Sequence, residues 1–244
     1  NKRMFSTLFI VPLVLTVFLP TVMLLAVFFA PSEASDFEKL LQLLPFQYQG
    51  ENFSLAVIDA IFNYILPIFF LIIPIMVASI MAATSFTGEK EKHTLETLLY
   101  CPLSLKEIFR AKVLASFILS MLVSLISFAI MLIVLETEMF FIADHLLIPD
   151  FNWLIILLLV SPAISMIAIT LIVRVSVKSQ SVEDAQQRAA FLVLPIVLLI
   201  VGQLAGALLI DLWILLILGC VFAVTALILL KKAMGKFSYE RFLQ

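Results

Sequence analysis

Six long apolar stretches, separated by short polar segments, organise the chain: residues 8–30, 58–83, 113–135, 153–173, 189–210 and 212–230. A helix needs roughly 20 residues to cross about 30 Å of hydrocarbon, so the pattern predicts an all-α integral membrane protein, a bundle of six transmembrane helices. Proline recurs inside these spans, at Pro12, Pro20, Pro67, Pro74, Pro162 and Pro195. Each removes a backbone donor and bends its helix, as a static packing bend or as a hinge. Asn63 and Gln203 are the main polar side chains deep in the spans, where hydrogen bonding between helices is their ordinary use. Gly202 and Gly206 form a GxxxG pair through which another helix can approach closely.

The polar segments carry their own periodicities. In the outer loop of residues 31–57, Ser35 and Glu38 have capping-box spacing, and Phe37, Leu40, Leu41 and Leu44 recur on one helical face. A short helix lying on the membrane surface is expected there. In the loop of residues 84–112, Leu95, Leu98 and Leu99 make an apolar stripe opposite Thr94, Glu96 and Thr97, and Pro102 ends that short helix. Ser104 and Glu107 again have capping-box spacing, flanked by the staple pair Leu103 and Ile108, so a new helix starts near Leu105 and runs into the third span.

Composition sharpens this picture. Of 244 residues, 64% are hydrophobic and 13% charged, with a mean hydropathy of +1.20. A soluble domain is close to half apolar. The whole chain therefore reads as a single transmembrane domain without a separate catalytic one.

Charge gives the orientation. All but Lys39 of the 15 Lys and Arg fall before the first span, in the second-to-third and fourth-to-fifth loops, or in the tail. The positive-inside rule makes that side cytoplasmic, with both termini inside and Glu33, Asp36, Glu38, Glu51, Glu136, Glu138 and Asp144 outside. A multi-pass protein of the cytoplasmic (inner) membrane follows, surrounded by lipid and not by nucleic acid. The run after Lys2 and Arg3 is too long for a signal-peptide h-region, so it is expected to be a real helix. The chain opens on Asn1 and not Met, which raises the expectation of a preceding segment.

Catalytic patterns are missing. Cys101 and Cys220 lie at different depths, as do His93 and His145, and there is no H-E-x-x-H or G-x-S-x-G motif. No Asp, Glu, Lys or Arg sits well inside a span, where a proton or ion relay would need one. No catalytic, cofactor or metal site is expected, and no Walker pattern is present.

One stretch is more specific. Gly88-Glu89-Lys90-Glu91, then Thr94-Leu95-Glu96-Thr97-Leu98-Leu99, Pro102, and Glu107-Ile108 with Lys112, resembles the loop signature of type-2 ABC transporter permeases. Ser181-Val182-Glu183-Asp184-Ala185-Gln186-Gln187 followed by Pro195, and the ending from Lys236 to Leu243, are similar to the sodium-export-permease-like branch. The resemblance implies a permease subunit of an ATP-driven exporter, paired with an identical or related permease chain. A separate ATP-binding subunit would hold ATP and Mg and hydrolyse the nucleotide. Gly88, Glu89, Glu91, Thr94, Leu95, Glu96, Leu98, Leu99 and Pro102 match the loop that the family uses for coupling. Leu95, Leu98 and Leu99 would pack in a cleft of the partner or against the bundle, and Glu89, Glu91 and Glu96 would pair with the partner's bases. Lipid-like, peptide or other amphipathic cargo suits a lumen lined by Phe62, Phe69, Phe70 and Met76. The alternative is a self-contained channel or secondary transporter.

Overall fold

The structure is a computed structural model that describes residues 2–29, 53–91, 104–176, 179, 181–191, 193–204 and 212–236. Every regular element among them is helical. Helix α1 is Lys2–Phe29. The second span is broken into α2 (Phe53–Ala60), a π-helical turn (Ile61–Ile65), α3 (Leu66–Phe70) and α4 (Ile72–Glu91). Helix α5 is Leu105–Ala143, and the fourth span is α6 (Phe151–Ile155), a second π-helical turn (Ile156–Val160) and α7 (Ser161–Ser176). Helices α8 (Val182–Ala190), α9 (Leu194–Leu204) and α10 (Leu212–Lys236) follow.

Five of the described spans are long and apolar enough to cross a membrane: Ile10–Phe29, Ser54–Glu91, Lys106–Ala143, Phe151–Ser176 and Leu212–Met234. The apolar run expected as a fifth of six spans, residues 189–210, is not one continuous helix. Helix α8 ends at Ala190, and Pro195 sits in the first turn of α9, where its missing N–H costs nothing but its ring disfavours helix at the residue before it. The 11 described residues of α9 reach about 16 Å, short of the hydrocarbon thickness. Gly202 lies on α9, while Gly206 and the short surface helix expected around Ser35 to Leu44 in the outer loop lie outside the described residues.

Helix α4 is the hub, packed between α5 and α7, with α1 against α5 and α10 against α7. Within the second span 72% of the apolar window is buried, against 17% for α10. A lipid-facing helix can be apolar all round, so hydropathy alone does not separate these two roles.

The two π-helical turns have a common cause. Each ends two residues before a proline, Pro67 and Pro162. In the first, Leu66 N–H bonds back five residues to Ile61 O. The next donor in that ladder would be Pro67, which has none, and Pro67 would also have been the four-residue partner of Asn63 O. Side chains supply the two missing donors, Trp153 Nε1–H to Phe62 O at 3.1 Å and Asn152 Nδ2–H to Asn63 O at 3.3 Å, and Gln203 Nε2–H adds a bond to Tyr64 O at 3.0 Å. In hydrocarbon a carbonyl without a donor costs several kcal/mol, so these three residues hold the bulge in place.

Asn63 extends the network. Its Nδ2–H donates to Ile148 O at 3.3 Å and its Oδ1 accepts the N–H of Asp150 at 2.9 Å, tying the connection between α5 and α6 to the second span. That connection begins at Asp144, which ends α5 with φ 49°, a left-handed conformation that Asp tolerates better than most residues. Trp153 is 2% exposed, with its ring 5.6 Å from Phe62, 5.7 Å from Phe70 and 4.9 Å from Phe128. Phe62 and Phe70 are therefore core residues within the chain and do not line a lumen. Rings of this size fill gaps between helices that proline bends hold apart.

Candidate coupling site

The candidate site lies at the end of the bundle that carries the bases, where α4 leaves the apolar region and α5 begins. Ser104 is extended, with φ −68° and ψ 147°, and its Oγ accepts the Glu107 N–H at 3.4 Å. Glu107 returns the contact through Oε2, which accepts the Ser104 N–H at 2.8 Å and its hydroxyl at 2.6 Å. This box satisfies donors that the first turn of any helix leaves open. It fixes where α5 starts, and from Ser104 the helix runs without a break to Ala143.

One turn later, Lys112 crosses to α4. Its Nζ forms an ion pair with Glu89, donates to Ser85 O at 3.0 Å, and stands 5.3 Å from the centre of the Phe86 ring. Phe86 in turn packs on Phe109, ring centres 5.7 Å apart. The Lys112 and Glu89 side chains are 23% exposed or less, so water screens this pair less than it would a surface one. The early and late charges of the signature stretch are thus joined, and they clamp together the two helices that the loop connects.

Glu91, the last residue of α4, reaches a third helix. Its Oε2 accepts the N–H of Val182, the first residue of α8, at 3.0 Å. A carboxylate at a helix N-terminus meets unpaired N–H groups and the positive end of the helix dipole. Ser181 caps the same turn by accepting the Asp184 N–H at 3.1 Å, and Asp184 holds Arg188 at 2.9 Å. Gly88 faces this helix too: a Cβ placed there would stand 3.6 Å from Val182 Cγ2. An alanine fits that space and a longer side chain displaces Val182.

Two stretches about 90 residues apart in sequence, Gly88–Glu91 and Ser181–Ala185, therefore form one junction. Glu89 and Glu91, expected to pair with a partner's bases, are engaged inside the chain. Thr94, Leu95, Glu96, Leu98, Leu99 and Pro102 lie outside the described residues. Sequence reasoning missed the aromatic support, although Phe86 and Glu89, like Phe109 and Lys112, stand one helical turn apart and so share a face. Among the described residues, the junction places no nucleophile with a base beside it. What it provides is stiffness, with three helix ends tied by ionic and capping contacts, and a surface on which Lys106, Glu107 and Arg110 are exposed.

No curated relative and no solved structure matches the chain. A family model described as ABC-2 family transporter protein matches residues 2–216. That match spans the five membrane-crossing helices as far as the start of α10, together with the junction of α4, α5 and α8. The chain accordingly belongs to the ABC-2 family of transporter proteins, and is a multi-pass membrane component of an ABC transporter.

Proposed function

We propose that this chain is the permease subunit of an ATP-driven exporter, moving or flipping substrate across the cytoplasmic membrane with ATP and Mg bound and hydrolysed in a separate subunit. The observation that carries this reading is the clamp of Glu89 on Lys112, tied through Glu91 to α8. Any force applied to the short connection between α4 and α5 is delivered to three helices at once. The basic end faces the cytoplasm in this reading, with both termini inside and α9 and the residues after it completing a sixth crossing. The chain works as a pair with an identical or related permease chain, and the ATP-binding subunit docks on residues 92–103.

A pull-down from native membranes with this chain as bait tests the proposal. An ATP-binding protein is expected to be retained, and its ATPase rate to depend on Glu96 and Leu98. Lys112→Met removes the ion pair with Glu89 and is expected to cost about 2 kcal/mol of stability. Lys112→Met should also uncouple the ATPase from this chain while the partner stays bound. A chain that purifies alone, with transport unaffected by ATP, would overturn the proposal in favour of a self-contained channel or carrier.

A further inference from the structure

At the opposite end of the bundle from the bases, a cleft of about 390 Å³ opens between α5 and the fourth span. It falls within the range of roughly 300–1,000 Å³ typical of small-molecule sites. Its walls are Phe128, Trp153, Leu154, Leu157 and Leu158, and Asp150 lies on its rim with Pro149. One wall is rigid, because Trp153 is fixed by Phe62 O and three rings. The other is open to lipid: Leu154 is 54% exposed and Leu158 68%. The second π-helical turn runs along the cleft, and Pro162 has no N–H to return to Leu157 or Leu158. Turns of this kind are frequent at functional sites.

Charge decides what fits. Between Lys112 and Arg174 the sequence holds Glu136, Glu138, Asp144 and Asp150 and no Lys or Arg. Asp59 is within electrostatic reach of both Asp150 and His145. An anionic head group at the rim would meet the Asp150 carboxylate, whereas a cationic one would be attracted by it. We propose that this cleft binds an amphiphile with a single alkyl chain and a cationic head group, which enters sideways from the bilayer, its tail along Trp153 and Leu157 and its head beside Asp150. The site is a property of this chain alone and does not depend on an ATPase partner.

Trp153 reports directly on occupancy. The full chain carrying Trp213→Phe, so that Trp153 is the sole indole, is placed in nanodiscs of zwitterionic lipid without ATP. It is titrated with dodecyltrimethylammonium and with dodecyl sulfate, each brominated at the tail end. The companion variant Trp153→Phe leaves Trp213, 69% exposed on α10, to report simple partitioning into lipid. Saturable quenching of Trp153 is expected at a roughly tenfold lower concentration of the cationic probe than of the anionic one. Asp150→Asn is expected to reduce that ratio, and Leu154→Phe with Leu157→Phe to abolish saturation. Equal titration curves for the two probes, or curves at Trp153 that match those at Trp213, would overturn the proposal, and the comparison of the two probes is made with the cleft unaltered.

Discussion

The two π-helical turns carry the same backbone defect and meet opposite fates. Ile61–Ile65 and Ile156–Val160 are each five residues long and each lie just before a proline that cannot donate. The first is closed by Asn152, Trp153 and Gln203, whose side chains feed three consecutive carbonyls. Among the described residues no side chain donates to the carbonyls of the second, and it borders the cleft instead. Proline opens a helix in both places; neighbouring helices decide whether the opening becomes a fixed joint or an accessible surface.

Trp153→Ala strikes both regions at once, since it removes a donor from the first turn and a wall from the cleft. It is expected to cost about 4 kcal/mol, the largest effect of any single change here, read as loss of thermal stability of the chain in nanodiscs. Gly219→Val acts only on the second turn. Helix α10 approaches so closely there that a Cβ would stand 2.7 Å from Leu159 Cδ2 and 3.2 Å from Val160 Cγ2. Overpacking of this kind costs about 1–3 kcal/mol, and hydrogen exchange should show faster opening around residues 156–160 than around 61–65.

The smallest effect is the most discriminating. Pro162→Ala restores a donor to a ladder that lacks one and should stabilise the chain by about 1 kcal/mol. Pro67→Ala offers a donor to carbonyls already served by Trp153 and Asn152, and should change stability by less than about 0.5 kcal/mol. Equal gains from the two substitutions, measured by the same thermal unfolding, would show that the turns are equivalent after all.

How far these features were legible follows from where their causes lie. The membrane-crossing helices are written as local apolar runs, but the run length reports hydrocarbon thickness and not helix length. The second span therefore continues to Glu91, and α5 extends beyond both ends of residues 113–135. Ser104 and Glu107 are three residues apart, so the start of α5 could be read directly. Prolines mark where a bend can occur, whereas the donors that shape the first one come from residues 89 or more positions away, such as Asn152 and Gln203. Asn63 and Gln203 could be read as packing contacts, and the structure uses them as such. The cleft was invisible, because Phe128 and Trp153 are ordinary apolar letters until the fold brings them within 4.9 Å. Gly219 left a weak trace: Ala223 follows four residues later, a small-xxx-small spacing.

Helix α5 differs from the two spans it neighbours most closely. Its 39 residues contain no proline, so it forms an unbroken rod of about 58 Å, nearly twice the hydrocarbon thickness. Pivoted at its midpoint, a tilt of about 5° swings each end through roughly 2.5 Å. Lys112, about 18 Å from that midpoint, would move by roughly 1.6 Å, and a push there would be carried to the end beside Asp144, as by a lever between the two faces of the membrane.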